Sequence, residues 1–581
     1  MKYLNSIFLL LLISCSDNKR PVGEKLTESQ NLEIKNYIME QVSQNRPVKL
    51  KEVYGSSLRG LKLTSVNLSN EDLSGIDFSE SELIRVNFSQ ANLEGVIFKK
   101  ALIQESDFSN VRLNNLNASG VNFQASVFNK TTFSNVNFSY TNMSEADLSK
   151  AIITDSNFDN VNLAGAAVKN VEIRNVSFQK ANLVSVDLSD SKIDGSTFYG
   201  VDLRKSDLSR SVISNCSFES SDLSNIGADD ANFQNIDFSQ SIIEDTKFNN
   251  TKFAGSNFSD ASLKGANFKE VSFDKSLFQN SLMNNVNFFN VTIQDGTLNN
   301  VKFFGSVINK VYADNIQANE NNFDKVAVKD FKITNSQVKN STFSNETGSK
   351  LNLINVNFTG TNFINYNIAD SSFSKTDLSQ AIFKDSKIYR TSFISSTMNQ
   401  IAVINCEMQS NNINNTSIDN SQFKEVYSVA LSIVNSTFNH GLFINNKGLE
   451  RISGTNIFTS LGELIESKNI VDMNLAYTDF SAIDNQQLIF KNTILKGVNL
   501  KNSTLKSCLF VDVDLSYADL TNTNLQGSNI HNVKFFETKL NQTDLSYTTL
   551  EDLDFGKALI NNAKFDNAVL TRVKNLGIRE K

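Results

Sequence analysis

Four cysteines and two histidines are the residues of this chain best suited to nucleophilic catalysis or metal binding. A cysteine activated by a nearby histidine would make a nucleophile, and a cluster of both residue types would hold a transition metal. His440 and His531, however, are about 90 residues apart, and neither a metal-ligand spacing nor a glycine-rich phosphate loop occurs. The sequence therefore predicts that the protein is not an enzyme and has neither a cofactor nor a metal site.

The first cysteine, Cys15, stands in a specific context at the N-terminus. Lys2 precedes an apolar run of seven residues, 7–13. Because a membrane-spanning helix needs about 20 apolar residues, this short run is typical of a secretory signal. The run leads into Leu12-Ile13-Ser14-Cys15, which resembles the lipobox of bacterial lipoproteins. The alternative is an ordinary signal peptide with an incidental cysteine.

The lipobox resemblance has consequences for processing and location. It implies that 1–14 is a signal peptide, that Cys15 is lipidated, and that 15–26 is a tether. It also implies a lipid-anchored protein of the bacterial cell envelope. Since Ser16, rather than Asp, follows Cys15, the outer membrane is the expected location in a Gram-negative host.

A period of five residues runs through most of the chain. Apolar or small residues occupy every fifth position from Leu58 to Phe443, and the pattern resumes two residues out of phase from Leu475 to Leu570. Of the 44 phenylalanines, 38 fall in these central slots. A period of five fits neither a helix nor an ordinary strand, so it predicts a solenoid.

The repeated unit has a recognisable composition. In Val66-Asn67-Leu68-Ser69-Asn70 a small or β-branched residue comes first, Asn or Asp second and a large apolar residue third. These units resemble the pentapeptide-repeat family, whose consensus is Ala-(Asp/Asn)-Leu-x-x. The resemblance implies an all-β fold: a right-handed quadrilateral β-helix with four pentapeptides in each coil.

Identities at a spacing of 20 residues support four units in each coil. We expect three columns of central residues to stack, the first broken only at Ala118: Phe78, Phe98, Phe138, Phe158, Phe178, Phe198, Phe218, Phe238, Phe258 and Phe278; Ile153, Ile173, Ile193 and Ile213, followed by Phe233, Phe253 and Phe273; and Phe303, Phe323, Phe343, Phe363 and Phe383. Cys216, Cys406 and Cys508 each lie two residues before a central slot, where small buried residues occur. We therefore expect about 24 coils forming a rod, with these three cysteines inside it as small hydrophobes.

The ends and the phase shift define the remaining segments. The sequence of residues 27–50 predicts an N-terminal capping helix. Its apolar residues include Leu32, Ile34, Tyr37, Ile38 and Val42, most of which share one helical face. The repeat then divides into block 1 (51–443) and block 2 (475–570), followed by a tail at 571–581. Between the blocks, 444–474 is interpreted as a loop joining two coaxial stacks, with a functional protrusion as the alternative. A short helix capped by Thr459 is expected within it.

Charge and outward residues bear on function. The net charge of −7 argues against the basic surface that a nucleic-acid-binding protein needs.

Phe289, Phe304 and Tyr312 occupy outward positions and are candidate contacts for an unidentified protein partner. The alternative is that they are scattered exposed aromatic residues. Phe331 occupies a first position normally filled by a small residue, near Ala313 and Ala318, where room is expected.

The sequence thus predicts a non-enzymatic, lipid-anchored rod that acts as an interaction scaffold in the cell envelope. Two alternatives remain open. One is the DNA mimicry by which family members protect gyrase, which the export signal and the mixed outer charges disfavour. The other is a secreted effector or adhesin.

Overall fold

The computed structural model describes residues 24–449 and 457–576. The expected signal peptide, the lipidation site Cys15 and most of the tether lie outside the described residues. The chain divides into two compact units, an N-terminal unit, Met1–Phe258, and a C-terminal unit, Ser259–Lys581. Among the described residues, none of the helices has the length and apolar character that a membrane-spanning segment requires.

Each pentapeptide forms one side of a square coil. The central residue points inward and is buried, while the fifth residue turns the corner with a positive φ, as in Asn110 (58°) and Asn115 (55°). Asn, Asp and Gly tolerate this left-handed conformation better than other residues. Many buried hydroxyls at the first position donate to backbone carbonyls, as Thr131 Oγ1 does to the oxygen of Phe108 at 2.7 Å.

Successive coils pair in parallel with a register of 20 residues. Ile153 pairs with Ile173, and Ile173 in turn pairs with Ile193. The chain forms a β-solenoid of about 25 turns with few helices and a short N-terminal helix. The predicted fold class, a right-handed quadrilateral β-helix with an N-terminal helix, is therefore confirmed.

The N-terminal unit begins with helices α1 (Glu28–Ser43) and α2 (Leu50–Tyr54). Eleven short strands follow within its described residues: β1 (Lys62–Thr64), β2 (Glu82–Ile84), β3 (Arg112–Asn114), β4 (Thr132–Ser134), β5 (Ile152–Thr154), β6 (Glu172–Arg174), β7 (Lys192–Asp194), β8 (Val212–Ser214), β9 (Asn232–Gln234), β10 (Lys247–Asn249) and β11 (Lys252–Ala254).

Helix α1 packs on the first coil. Thr27 and Gln30 form a capping box at its start, which satisfies backbone N–H groups of the first turn. Ile34 and Ile38 are buried, and the Asn31 side chain accepts a hydrogen bond from the backbone nitrogen of Lys62 at 2.7 Å. Leu32 and Val42, two apolar residues of this helix, are exposed and lie outside the buried face.

The predicted phenylalanine column is present in the N-terminal unit. The rings of Phe178 and Phe198 are 4.9 Å apart and nearly parallel, and those of Phe198 and Phe218 are 4.5 Å apart. Ala118 interrupts the column, and the ring of Phe123 lies within 6.2 Å of Phe98 and 5.8 Å of Phe138. A neighbouring side of the coil thus supplies the ring that the alanine lacks.

The C-terminal unit contains two stacks of coils, which we name stack A (259–449) and stack B (469–576). The strands of stack A are β12 (Asn267–Lys269), β13 (Ser272–Asp274), β14 (Asn287–Gln294), β15 (Lys302–Phe304), β16 (Val307–Asp314), β17 (Asn322–Asp324), β18 (Ala327–Gln337), β19 (Thr342–Asn357), β20 (Asn362–Ala369), β21 (Ser372–Ser374), β22 (Ile382–Lys384), β23 (Lys387–Tyr389), β24 (Ser392–Ile394), β25 (Ala402–Ile404), β26 (Glu407–Gln409), β27 (Asn412–Asn414), β28 (Gln422–Lys424), β29 (Tyr427–Val429), β30 (Ser432–Val434) and β31 (Leu442–Ile444). The strands of stack B are β32 (Asn469–Val471), β33 (Asp484–Gln486), β34 (Ile489–Lys491), β35 (Thr504–Lys506), β36 (Leu509–Val511), β37 (Asn529–His531), β38 (Thr549–Asp554) and β39 (Val569–Lys574).

Helix α3 (Leu461–Glu466) lies at the start of stack B. Its N-cap is Ser460, whose hydroxyl accepts from the backbone nitrogen of Glu463, where the sequence suggested Thr459. Leu464 is buried in the same apolar cluster as Ile470 of the first coil of stack B. The helix therefore covers the end of this stack, as α1 covers the first coil of the N-terminal unit.

Small residues at central slots of stack A have two different packing consequences. At Gly348 an added Cβ would come within 3.0 Å of the Tyr366 ring, so this ring fills the space of the missing side chain. Near Ala313 and Ala318 the packing instead leaves an apolar cavity of about 50 Å³, which Phe331 also lines. Phe331 is only half-buried, and the room expected beside the two alanines is present.

Candidate functional site

Stacks A and B lie side by side, and the expected coaxial arrangement is wrong. Outward residues of stack A, among them Ile382, Ala402 and Ile404, form a buried cluster with Ala476 of stack B. A coaxial stack would leave these side chains in solvent. The apolar contact instead holds the first coils of stack B against the side of stack A.

Hydrogen bonds surround this apolar contact. The Gln400 side-chain nitrogen donates to the backbone oxygen of Asp472 at 2.6 Å, and Asn474 Nδ2 donates to the backbone oxygen of Gln400 at 2.8 Å. Nearby, Thr478 Oγ1 donates to Gln422 Oε1 at 3.2 Å. These partners are far apart in sequence, which is why no local motif indicates them.

Beyond this contact the stacks diverge and enclose a polar cleft of about 680 Å³. One wall consists of the coils of stack A that precede Gln400 in the chain, and the other consists of the coils of stack B that follow Asp472. The residues that line the cleft are Asn340, Gly360, Asn362, Gln380, Ile382 and Gln400 from stack A, and Asp472, Asn492, Thr493, Ile494, Lys496, Asp512, Val513, Asp514, Ser516, Asn532 and Lys534 from stack B. The two stacks therefore run in opposite directions along the cleft, which is open at one end.

The stack B wall carries the charges of the cleft. Burial lowers the pKa of Lys496, and Lys534 adds to this effect, while Asp514 opposes it. Neither lysine belongs to an ion pair among the described residues, although the Lys496 amino group lies 5.6 Å from the ring centroid of Tyr517. The cleft thus offers ammonium groups that retain hydrogen-bonding capacity.

The three aromatic residues singled out by the sequence do not form one patch. Thr292 pairs with Tyr312, while Phe289 lies before the corner at Asn290 and pairs with Asn309. Phe304 ends a third side of the coil, just before the corner at Gly305. Phe289, Phe304 and Tyr312 therefore lie on three successive faces.

Lysines from the next coil lie over these three rings. The amino groups of Lys310, Lys325 and Lys332 are 5.2, 5.2 and 5.1 Å from the centroids of Phe289, Phe304 and Tyr312, respectively. Such cation–π contacts stabilise an exposed aromatic residue by about 0.5–1 kcal/mol. These contacts give the three rings a structural role within stack A, in addition to the partner contact that the sequence predicts.

The cysteines inside the coils have low chemical reactivity. Cys216, Cys406 and Cys508 are buried and unpaired, as expected. Burial raises the pKa of Cys216 and of Cys406 to about 12, and it also raises the pKa of Cys508. Since the thiolate is the reactive form, these thiols are poor nucleophiles at neutral pH.

One cluster of potential metal ligands was missed by the sequence analysis. His531, Glu551 and Asp552 come together because adjacent coils are 20 residues apart, a spacing absent from familiar metal motifs. Arg572 from the next coil forms ion pairs with both carboxylates. The guanidinium already occupies oxygens of both carboxylates and would compete with a metal ion for them, so we interpret the cluster as an ion-pair network.

Outward apolar residues were the signal that could have revealed the contact between the stacks. Ile382 and Ile404 occupy second and fourth positions of their units, which are normally polar, and both are buried. Tyr477 of stack B carries the Lys384 amino group 4.4 Å from its ring centroid. A cluster of such exceptions within a few coils indicates a lateral contact.

Two family models match the sequence. The model described as "Pentapeptide repeats (8 copies)" matches residues 62–99, 106–139, 119–155, 231–269, 349–385 and 493–532. The model described as "Pentapeptide repeat region" matches residues 151–227. No curated protein matches the chain.

Several solved structures match parts of the chain. HetL, a pentapeptide repeat protein involved in heterocyst differentiation regulation in the cyanobacterium Nostoc sp. strain PCC 7120, is 18% identical, with 40% of this chain and 94% of HetL covered and a TM-score of 0.22. Full-length QnrB1, a plasmid-mediated fluoroquinolone resistance protein, is 17% identical, with 38% and 94% covered and a TM-score of 0.12. A pentapeptide repeat protein from the thylakoid lumen of Arabidopsis thaliana is 20% identical, with 21% and 74% covered and a TM-score of 0.10. At these identities the similarity concerns the fold alone.

Proposed function

We propose that this chain, which pentapeptide-repeat family models match in several segments, is a non-enzymatic scaffold. It is lipid-anchored in the bacterial cell envelope and binds a partner through outward side chains of its coils. The observation that carries the binding role is the cleft between stacks A and B. Its walls combine amide, carboxylate and ammonium groups in a concave surface, and concave surfaces held by rigid scaffolds are common binding sites.

The chemistry of the interior supports a role without catalysis. The thiols of Cys216, Cys406 and Cys508 are protonated at neutral pH because their pKa values are raised by burial. His531 lies in an ion-pair network with Arg572 and two acidic side chains. A nucleophile and a base within hydrogen-bonding reach, which covalent catalysis needs, are therefore not found together among these groups.

The lipid anchor rests on the sequence Leu12-Ile13-Ser14-Cys15. Two or more acyl chains are needed for stable attachment to a membrane, and the lipoprotein pattern would supply them at Cys15. Ser16 favours transport to the outer membrane in a Gram-negative host. Phe289, Phe304 and Tyr312 remain candidate contacts for the partner.

Metabolic labelling with palmitate tests the anchor. The wild-type protein should incorporate the label and fractionate with membranes, whereas Cys15→Ser should lose both properties. Cys216→Ser is the matched control, since this cysteine is buried and the substitution should leave labelling unchanged. An unlabelled protein in the cytosolic fraction would contradict the proposal and favour the DNA-mimicking alternative.

Crosslinking in native membranes tests the scaffold role. Crosslinked partners should disappear when the cleft is filled by Lys534→Trp, which changes a side chain at the cleft wall. Protease accessibility on intact cells separates an envelope scaffold from an effector or adhesin presented outside the cell. A crosslinking pattern that Lys534→Trp leaves unchanged would locate the binding surface elsewhere.

A further inference from the structure

The hydrogen-bonding groups of the cleft are unusually rich in amides. Asn340, Asn362, Gln380 and Gln400 contribute from stack A, and Asn492 and Asn532 contribute from stack B. An amide side chain both donates and accepts hydrogen bonds, as a hydroxyl group does. Such a wall therefore matches a ligand that carries many hydroxyl groups.

Several of these amides are held in place by their neighbours. Gln380 Nε2 donates to Gln400 Oε1 at 3.0 Å, and Asn532 Nδ2 donates to Asp512 Oδ1 at 2.7 Å. Each of these contacts links adjacent coils of one stack. The amide groups are thereby oriented before a ligand arrives, which lowers the entropic cost of binding.

The charge of the cleft is close to neutral. The cleft is lined by three aspartates and two lysines, which are Asp472, Asp512, Asp514, Lys496 and Lys534. Nucleic-acid sites carry a basic surface, and strongly anionic polymers would meet the same aspartates. The balance of charge favours a neutral ligand.

An aromatic pair stands beside the cleft on the same face of stack B. Tyr517 and Phe536 are 48% and 41% exposed, and their rings meet edge to face with centroids 5.5 Å apart. The amino groups of Lys496 and Lys557 lie 5.6 and 4.8 Å from the ring centroids of Tyr517 and Phe536, respectively. The parts of the two rings that remain exposed can pack against apolar C–H surfaces.

Peptide binding fits this cleft less well. An extended peptide usually adds to a free strand edge, and a helical peptide needs an apolar groove. The backbone of both walls is instead paired within the stacks, as in the bonds from Ile382 nitrogen to Thr361 oxygen (3.0 Å) and from Asp514 nitrogen to Thr493 oxygen (3.1 Å). Recognition at this site depends on side chains.

We propose that the cleft between stacks A and B binds a neutral oligosaccharide strand, with its hydroxyl groups on the amide-lined walls and a sugar ring on Tyr517 and Phe536. A sugar ring combines polar edges with an apolar face, and the cleft places both complementary surfaces side by side. This inference rests on the binding role proposed for the cleft and names its ligand, but it does not depend on the lipid anchor or on a crosslinked protein partner.

Calorimetric titration of the full-length protein tests this inference. The probes are hexasaccharides of β-1,4-linked glucose, mannose and N-acetylglucosamine, with hexagalacturonate as the charged comparison. At least one neutral probe should bind more tightly than hexagalacturonate. The double variant Tyr517→Ala/Phe536→Ala should weaken its binding about tenfold, because two ring contacts are lost.

Two controls separate binding from folding. Tyr547→Ala removes a tyrosine that is 64% exposed on another face of stack B, and it should leave affinity unchanged. Thermal melts should show that all variants remain folded. Lys534→Trp, which fills the cleft from its wall, should also abolish sugar binding in a folded protein.

Three outcomes would overturn the oligosaccharide inference: no binding of any neutral probe, preference for hexagalacturonate, or affinity unaffected by both cleft variants. If Lys534→Trp abolishes protein crosslinks while no sugar binds, the scaffold role stands and its ligand is a protein. If sugars bind as expected but neither lipid label nor crosslinked partner is found, the sugar site stands and the proposed envelope scaffold fails.

Discussion

Glu80 shows how a single side chain joins the N-terminal segment to the coils. Its carboxylate forms ion pairs with Lys25, ahead of helix α1, and with Arg59, in the first coil. Hydrogen bonds from Lys25 and then Arg59 lower the pKa of Glu80 from 4.5 to about 2. Since its folded-state pKa lies below the ordinary value, ionised Glu80 stabilises the folded protein.

Glu80→Gln should lower the melting temperature at pH 7. A carboxylate with a lowered pKa contributes its stability above its unfolded-state pKa and loses it as the pH falls through the folded-state value. The difference between wild type and variant should therefore be full at pH 6–7 and shrink between about pH 4.5 and about pH 2. Differential scanning calorimetry across this range measures it.

Glu94→Gln provides the matched control, because Glu94 is exposed and forms no ion pair among the described residues. Its melting temperature should follow that of the wild type at every pH. A Glu80→Gln difference that stays constant down to pH 2 would contradict the ion-pair assignment.

At the scale of the elements, the stacked columns carry much of the stability. Phe178 is buried, and its ring lies 5.2 Å from Phe158 and 4.9 Å from Phe198. Every ring in the middle of the column therefore packs against a ring on each side. Because the backbone ladder fixes the coil spacing, the neighbours cannot move together to fill a gap.

Phe178→Ala should lower the free energy of unfolding by about 3–5 kcal/mol, the usual cost of removing a buried phenylalanine. Equilibrium urea unfolding followed by circular dichroism measures the loss. Tyr199→Ala, which removes an aromatic residue that is 40% exposed in the same unit, should change stability by about 0.5 kcal/mol or less. Equal effects of the two substitutions would disprove the role of the column.

Much of the structure of the individual elements could be predicted from the sequence, and the features that could not be predicted were missed for physical reasons. The 20-residue column of Phe158, Phe178 and Phe198 reports contacts between adjacent coils, which recur and so leave a periodic signal. The burial of Ile404 against Ala476 does not recur, because it depends on how the segment between β31 and β32 directs the chain. The Ser460 cap differs from the expected Thr459 by one residue, because both residue types can cap a helix.

At the scale of the whole molecule, function depends on how the repeat is interrupted. A continuous stack presents only convex corners and flat sides. The phase shift after Phe443 lets stack B return along stack A, and a concave surface appears between them. The apolar contact of Ile404 with Ala476 and the hydrogen bonds of Gln400 set the closed end of the cleft.

Ile404→Asp should separate the two stacks while leaving each of them folded. The substitution would bury an unpaired carboxylate in the contact, which is strongly unfavourable. Small-angle X-ray scattering should show a larger radius of gyration, with an unchanged far-ultraviolet circular dichroism spectrum. The control is Ile242→Asp, at an outward isoleucine that is 43% exposed. An unchanged radius for Ile404→Asp would show that the polar contacts alone hold the stacks.

The positive-φ corner at every fifth residue also constrains how such a chain can change in length. Removal of 20 consecutive residues within a stack would take out one coil and return every later side chain to its former direction. Removal of five would rotate everything downstream by a quarter turn, so that the face carrying Tyr517 and Phe536 would point away from its opposite wall. Whole coils can therefore be gained or lost without turning the downstream faces, whereas a change by one pentapeptide is tolerated only where no downstream surface must keep its direction, and stack B is not such a place.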